Sequence, residues 1–216
     1  MMFLLVIGLL VISTYMHTTE SCCCMPEKFE LHEYVEDIFT WPSAMIQTGY
    51  ANISFDLEVK KSVFFFYDVK LNGKDVPTPT YLFDHSSGFL YVYDLRSKYC
   101  KKMPIGRMNP VCVPANQSTD TTHLGAAKEM LSVKTYQSTA GNQTTSTTVT
   151  KEKCYLISSE LNDSEYPTSL RKQFYGTTLG IKDMSVFKIP AICKKIFWNT
   201  QEIPEVSRRV FHPFYL

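Results

Sequence analysis

The sequence of 216 residues predicts a mainly antiparallel β protein, and three observations lead to that prediction. Short runs rich in aromatic and β-branched residues alternate with turn residues along most of the chain. No long stretch has the 3.6-residue periodicity of an amphipathic helix. The run Phe89-Leu90-Tyr91-Val92-Tyr93 is apolar at odd and even positions alike. Both faces of that strand should therefore be covered, as in a closed or stacked sheet.

Nine strands are predicted in order along the chain, over residues 46–59, 63–69, 80–84, 89–95, 130–136, 144–150, 154–160, 170–181 and 186–189. Asn72-Gly73 predicts a tight turn after the second strand, because both residue types tolerate positive φ. The Thr- and Ser-rich segment 138–150 is compatible with an exposed hairpin or with a linker between domains. We favour the hairpin, because no second self-sufficient apolar pattern follows it.

The N-terminus has the composition of a secretory signal peptide. Residues 3–12, FLLVIGLLVI, form an apolar run that is shorter than a membrane span of roughly 20 residues and is followed by a polar stretch. Cleavage near Ser13 or near Ser21 fits the sequence equally well. We assign residues 1–21 to the signal peptide and residues 22–216 to a single β domain.

Four asparagines lie in N-glycosylation sequons, which predicts a secreted glycoprotein: Asn52, Asn116, Asn142 and Asn162. Three of them lie in polar stretches typical of loops or turns, where attached sugars remain exposed. Asn52 is different, since it lies inside a strand-like run.

The seven cysteines, at positions 22, 23, 24, 100, 112, 154 and 193, predict disulfides rather than a metal site. None of their spacings gives the paired knuckles or histidine partners of a zinc site. Disulfides are the default in an oxidising compartment. Because the number is odd, at least one thiol is free or bonded to another chain, and the spacings alone leave the connectivity open.

Charge and motifs exclude several function classes. The formal net charge of +1, with both signs interspersed, gives no basic stripe for nucleic acid and no polybasic membrane patch. The chain lacks a G-x-S-x-G elbow, an H-E-x-x-H motif, a P-loop and a dinucleotide fingerprint. Asp84-His85-Ser86 contains the residue types of a hydrolase triad, but adjacent residues in a turn do not form one. We therefore predict a protein that is not an enzyme.

An aromatic residue precedes aspartate at four predicted strand ends: Phe55-Asp56, Tyr67-Asp68, Phe83-Asp84 and Tyr93-Asp94. Such aspartates typically cap the turn after a strand. Alternatively, some of these carboxylates converge on calcium, which takes several oxygen ligands. Their spacing is not that of an EF-hand loop.

Several short motifs occur in a fixed order between Cys23 and Cys193. They are Cys23-Cys24-Met25-Pro26, Ile53-Ser54-Phe55-Asp56, the segment 88–103, the glycosylation loop 114–118, Cys154, and LGIKDMSVFKIPAIC over residues 179–193. Together they resemble the ependymin-related proteins, which are secreted, disulfide-bonded glycoproteins.

The resemblance implies disulfides between Cys23 and Cys154 and between Cys100 and Cys193. A further bond of the mammalian branch is absent, because segment 76–80 and the chain after Cys193 both lack cysteine. Cys112 is additional and would pair with Cys22 or Cys24. The remaining cysteine would then be available to bridge two chains.

The resemblance also implies a fold of two stacked, curved antiparallel sheets that form a half-open barrel, similar to bacterial lipoprotein carriers. Its deep hydrophobic pocket needs apolar rows at alternate strand positions. The available residues are Phe64, Phe66, Phe89, Tyr91 and Tyr93, with Phe65 and Tyr67 as the alternative row on the first strand. A closed aromatic core is the competing interpretation.

The functional expectation is a secreted homodimer that binds a hydrophobic or lipid-like ligand in this barrel and associates with calcium. Candidate calcium ligands are Asp56, Asp94 and Asp183, although Asp183 is also a natural turn residue. The alternative is an adhesive protein of the extracellular matrix, with matrix partners, whose glycans bind the calcium. The family resemblance is compatible with extracellular residence and with the lysosomal lumen.

Overall fold

A computed structural model describes residues 23–39, 44–113, 117–126, 128–165 and 168–194. The predicted signal peptide lies outside these ranges. The described chain contains two 3-10 turns and fourteen strands. The strands are β1 (Cys23–Cys24), β2 (Lys28–Phe39), β3 (Met45–Asp56), β4 (Lys61–Leu71), β5 (Lys74–Asp75), β6 (Thr80–Asp84), β7 (Phe89–Asp94), β8 (Tyr99–Pro104), β9 (Cys112–Val113), β10 (Ser118–Leu124), β11 (Leu131–Ala140), β12 (Gln143–Thr150), β13 (Leu156–Asp163) and β14 (Thr168–Leu179).

Twelve of the strands form one antiparallel sheet. Its order is β10-β11-β12-β13-β14-β2-β3-β4-β6-β7-β8, with β5 paired to β4, while β1 and β9 form a separate two-stranded ribbon. The two ends of the order, β10 and β8, are not paired with each other, so the sheet is not closed. The prediction of a mainly antiparallel, half-open β fold is confirmed. Hydrogen bonding continues through all twelve strands, so the stacked layers are two ends of the same sheet.

The sheet has an inner and an outer face, which the strand register defines. Residues directly opposite each other on neighbouring strands point to the same side. Phe64 is opposite Tyr81, which is opposite Val92, and all three lie on the inner face. The adjacent row Phe65, Thr80 and Tyr93 lies on the outer face.

The inner face is packed into one large hydrophobic cluster. This cluster joins Phe64 and Val92 to Val149 and Leu156, which come from β12 and β13 near the other end of the strand order. Side chains so far apart in the order can meet only because the sheet curves around them. Burial of this apolar surface is the main source of the fold's stability.

Part of the outer face is covered by the segment that follows β14. The 3-10 turns Met184–Phe187 and Ala191–Cys193 belong to this segment. Phe187 and Cys193 pack on Val63, Leu82 and Tyr91 in a second, smaller cluster. The predicted strand over residues 186–189 is wrong, because the Asp183 carboxylate accepts a 2.8 Å hydrogen bond from Ser185 N and starts a turn there.

Three disulfides connect distant parts of the chain. Cys23 is bonded to Cys154 and Cys100 to Cys193, the two pairings implied by the resemblance. Cys112 is bonded to Cys24, which decides between the two partners left open for it. The β1–β9 pairing places Cys24 directly opposite Cys112.

Turn chemistry was easier to predict than strand content. Asn72 and Gly73 have φ of 49° and 77° and join β4 to β5, as their sequence predicts. The segment 138–150 belongs to the β11–β12 hairpin, so the linker alternative is wrong. Three of the longer strands were not predicted, namely β2, β8 and β10.

Candidate functional site

A groove with a volume of about 730 Å³ lies on the outer face, next to the part that the C-terminal segment covers. Its floor is the cross-strand row Phe65, Thr80 and Tyr93, supplied by β4, β6 and β7. Its sides are formed by residues near the end of β4, by the chain after β5 and by the turn after β7: Tyr67, Asp68, Val69, Asp75, Val76, Pro77, Thr78, Asp94, Leu95 and Arg96.

One wall of the groove is the segment that contains Pro77 and Pro79. Proline has no backbone N–H, so a stretch with two prolines cannot pair along its length with the neighbouring strand. Two hydrogen bonds connect it to β4. Val76 N donates to Val69 O at 2.9 Å, and Thr78 Oγ1 donates to Phe66 O at 3.5 Å. The prolines thus keep this segment from pairing regularly with β4, and the segment borders the groove.

The groove offers apolar surface with charged groups at its rim. Phe65 is 51 % exposed, Tyr67 37 % and Leu95 63 %, which is unusual for large apolar side chains. Asp68 and Asp75 lie at the same rim, and Asp68 pairs with Lys70 at 3.3 Å. Such a site suits a molecule with an apolar body and a polar end.

Asp94 keeps its negative charge at this rim. Desolvation by itself would raise the pKa of this carboxyl group, but hydrogen bonds from Ser97 Oγ at 2.8 Å and Arg96 N at 2.9 Å outweigh it. Together with the nearby Arg96 charge, they lower the pKa of Asp94 below its ordinary value. The same contacts fix the turn that carries Leu95.

The five residues predicted to line one pocket are divided between the two faces of the sheet. Phe64 belongs to the inner cluster, whereas Tyr91 and Phe89 belong to the outer one, where Lys102 Nζ lies 3.6 Å from the centre of the Phe89 ring. Phe66 packs beside Phe64 in the inner cluster and also borders the groove, and Tyr93 lies on the groove floor. As a set, the five therefore do not form one pocket. The strand register determines which of the five side chains share a face. The sequence does not reveal this register, because both faces of these strands are apolar.

The inner face is filled by the protein's own side chains. Phe29, Leu31 and Ile53 are all at most 2 % exposed. An ion pair is buried among them, with Lys172 Nζ 3.1 Å from Glu33 Oε1. The closed-core alternative therefore describes the inner face, and the groove on the outer face is the candidate ligand site.

The three predicted calcium ligands lie in three separate turns. Asp56 accepts hydrogen bonds from Glu58 N and Val59 N, Asp94 caps the turn after β7, and Asp183 caps a 3-10 turn. Within the described ranges, no three His, Cys, Asp or Glu side chains come together as a metal site would require. The turn-capping interpretation holds for Asp56, Asp84 and Asp94, whereas Asp68 lies within β4.

His85 lies in the turn at residues 84–86, and its ring contacts a backbone carbonyl group instead of a nucleophile. His85 Nδ1 lies 2.8 Å from the carbonyl oxygen of Gly106. The hydroxyl of Ser86 donates to Asp84 instead. These contacts make residues 84–86 a turn and not a triad.

The sequons that can be placed are all exposed. Asn142 lies in the turn between β11 and β12, Asn162 lies near the end of β13, and Asn52 lies in the middle of β3. Asn116 lies outside the described residues. Exposure of Asn52 follows from its position on the outer face, between His32 and Phe65.

A surface that the sequence did not predict extends from the groove across the outer face. Its rings are arranged in two cross-strand rows, and Tyr50 lies 5.2 Å from Tyr34 and 5.6 Å from Tyr67 between ring centres. We call it the aromatic face, and it consists of His32, Tyr34, Tyr50, Phe65, Tyr67 and Tyr175. The sequence does contain aromatic or imidazole rings two positions apart within one strand, as in His32 and Tyr34 or Phe65 and Tyr67. The strand pairing is needed to show that these rings form one surface.

These features define a class: a disulfide-bonded antiparallel β protein with a packed inner face and a groove on its outer face. The sequence model of the family described as Ependymin matches residues 75–193, more than half of the chain. The chain belongs to the ependymin family.

Similarity to a curated relative agrees with this assignment. Mammalian ependymin-related protein 1 from Rattus norvegicus is 26% identical over 119 residues, which are 53% of this chain and 53% of that protein. The match thus spans about half the length of the relative.

Two solved structures are partly similar to this chain. An uncharacterized conserved protein from Thermus thermophilus has a TM-score of 0.47 at 6% identity and covers 75% of this chain and 86% of its own. A LolA superfamily protein from Nitrosomonas europaea has a TM-score of 0.36 at 7% identity, and the match covers 77% of this chain and 93% of that protein.

In the described ranges, no helix combines the length and apolar character needed to cross a membrane.

Proposed function

We propose that this protein is a secreted, non-enzymatic glycoprotein that binds a hydrophobic or lipid-like ligand. The single observation that carries the proposal is the groove, in which Phe65 and Leu95 expose apolar surface beside charged rim residues. Removing such surface from water contributes about 25 cal/mol per Å² of apolar area. A ligand that covers the floor would gain this energy while its polar end stays near Asp94 and Arg96.

Secretion is supported by the signal-like N-terminus, the four sequons and the disulfides. Three disulfides use six of the seven cysteines. Such bonds persist in oxidising compartments and are rare in the cytosol. We place the protein in the extracellular space, with the lysosomal lumen as the alternative compartment.

The ligand hypothesis is tested by native mass spectrometry of the secreted protein and by titration with a fluorescent long-chain fatty acid. We expect a bound lipid-like mass and saturable binding of the probe. Phe65→Ala should weaken binding about fivefold, since roughly half of this side chain is available for burial by the ligand.

Leu131→Ala is the matched control, because Leu131 is 44 % exposed but lies on β11 outside the groove. It should leave probe binding unchanged. Absence of both a bound lipid and probe binding, or an equal response of the two variants, would reject the groove as a ligand site.

A second candidate, an adhesive matrix glycoprotein that binds calcium through its glycans, is favoured by one observation. The carboxylates of Asp56, Asp94 and Asp183 are each engaged in a different turn, so a protein site built from these three is not formed. Isothermal titration with calcium before and after enzymatic deglycosylation tests this candidate. Loss of binding with the sugars supports it, whereas binding retained by the folded core contradicts it.

We also propose that the protein is a homodimer. With six cysteines paired within the chain, Cys22 is the remaining candidate for a bond between two chains. Sedimentation should give twice the chain mass, and non-reducing electrophoresis of the wild type and Cys22→Ser should show whether the dimer is covalent. A monomer at micromolar concentration would contradict the proposal.

A further inference from the structure

Asn52 has an unusual place for a glycosylation sequon, in the middle of a central strand. On the outer face it lies directly between His32 on β2 and Phe65 on β4. Its Oδ1 is 2.6 Å from His32 Nδ1. Neighbouring strands are about 4.8 Å apart, so the Asn52 side chain projects between the two rings.

Gly176 leaves space for the His32 side chain. It lies in the irregular part of β14 that passes beside His32, with φ of 64°. A Cβ atom there would come within 2.8 Å of His32 Cδ2. Glycine thus leaves room for the ring to stand upright beside Asn52, and Tyr175 stacks on its other side at 5.5 Å.

The aromatic side chains around Asn52 are exposed to solvent. Tyr67 and Tyr175 are more than a third exposed, and Phe65 is about half exposed. A contiguous exposed apolar patch of this kind marks an interaction surface. A group attached at Asn52 starts from within the patch.

We propose that the N-linked glycan of Asn52 is the occupant of the aromatic face and forms one side of the groove entrance. The apolar C–H faces of the first N-acetylglucosamine residues would pack on the rings of Tyr50, Tyr67 and Tyr175. Phe65 and Tyr67 are shared by the aromatic face and the groove, so the sugar ends where the groove begins. This inference does not depend on the nature of the groove ligand.

The position of the sequon determines when the glycan is attached. Ser54 is buried, and its Oγ donates to Glu30 Oε1 at 3.3 Å. Asn52 and Ser54 are both paired into the sheet between β2 and β4. Transfer of the glycan must therefore precede the pairing of β3. The folded face then holds a hydrophilic group that also prevents a second sheet from docking flat on it.

Glycopeptide mass spectrometry and hydroxyl-radical footprinting of the secreted protein test the inference. Asn52 should be occupied, and Tyr50 and Tyr67 should be protected relative to Tyr155, which lies away from this face. Asn52→Gln and Ser54→Ala share only the loss of the glycan. Both should raise labelling of Tyr50 and Tyr67 about threefold, because large rings become accessible to solvent.

Asn142→Gln is the control, because it removes a sugar from the β11–β12 turn, far from the aromatic face in the strand order. It should leave the labelling unchanged. If the two variants fail to fold, the footprint is recorded on the folded wild type before and after a peptide N-glycosidase has removed the whole glycan, including its first N-acetylglucosamine. An unoccupied Asn52, or equal labelling with and without its sugar, would overturn the inference. Protection that disappears on dilution to the monomer would instead assign the face to a second copy.

Discussion

The inner and outer faces of strand β4 differ in what stabilises them. Phe64 points inward and is 2 % exposed, whereas its neighbour Phe65 points outward and is 51 % exposed. The inner side is a packed core that contains a charged pair, and the outer side is part covered cluster, part open groove. Two adjacent residues of the same type thus belong to different surroundings, Phe64 to the core and Phe65 to the open groove. The inner face is packed along its whole length, whereas the outer face is packed only where the C-terminal segment covers it.

The largest expected difference is between alanine substitutions at these two positions. Phe64→Ala should lower the free energy of unfolding by about 3 to 5 kcal/mol, because it leaves a cavity in the core. Phe65→Ala should change it by less than about 0.5 kcal/mol, as for other surface positions. Denaturant titration of both variants with intact disulfides measures this. Equal losses would remove the distinction between the faces.

The buried ion pair tests the polar part of the inner face. The Lys172 and Glu33 side chains are 5% and 2% exposed, and Lys172 Nζ lies 3.1 Å from Glu33 Oε1, so each charge is compensated by the other. Lys172→Met should cost about 3 to 5 kcal/mol by leaving a carboxylate buried alone. The double variant Lys172→Met/Glu33→Gln should recover much of this loss in thermal unfolding. A double variant as unstable as the single one would show that packing, not charge, is responsible.

The covered part of the outer face depends on the Cys100–Cys193 disulfide. Replacing both cysteines by alanine should cost about 2 to 5 kcal/mol. The C-terminal segment should then separate from the sheet, exposing Leu82 and Tyr91. Hydrogen exchange of β6 to β8 measures the exposure. Exchange that is unchanged there, at reduced overall stability, would mean that the smaller cluster persists without the bond.

Acid should reduce the stability that the Asp84 carboxylate contributes at the end of β6. Desolvation opposes ionisation of Asp84, but hydrogen bonds from Ser86, Lys61 and Ser87 outweigh it and lower its pKa below the ordinary value of 3.8. A lowered folded-state pKa contributes stability above the unfolded value, and that contribution is lost as pH falls through the folded value. Asp84→Asn should therefore cost about 1 kcal/mol at neutral pH. This difference should shrink below pH 3.8. A gap that stays constant down to pH 2 would contradict the assignment.

Local chemistry could be predicted from the sequence, but strand partners could not. The Asn72-Gly73 turn follows from residue preferences at those positions, and the Cys23–Cys154 bond was implied by the family resemblance. Strand β2 was missed because Glu33 and Asp37 occupy two of its inward positions, which conceals an otherwise regular alternation. Only β14, on the far side of β2, supplies the lysine that makes Glu33 acceptable inside.

The candidate site depended on the same missing information. Phe64 and Tyr91 were assigned to one pocket, but the register of β4, β6 and β7 places them on opposite faces. The aromatic face became visible only when Tyr34, Tyr50 and Tyr67 were placed side by side. The alternation of side chains within one strand separates its residues into two faces. It does not show which face of the neighbouring strand lies on the same side of the sheet.

The adjacent cysteines of β1 have a consequence for biosynthesis. Cys23 and Cys24 are made early, and their partners Cys154 and Cys112 follow 131 and 88 residues later. If the chain is secreted as proposed, Cys112 would enter the oxidising lumen before Cys154, and a bond from Cys23 to Cys112 could form first. Such a bond must be exchanged before the chain can mature. The order of thiol arrival therefore predicts that a disulfide isomerase speeds the maturation of this protein.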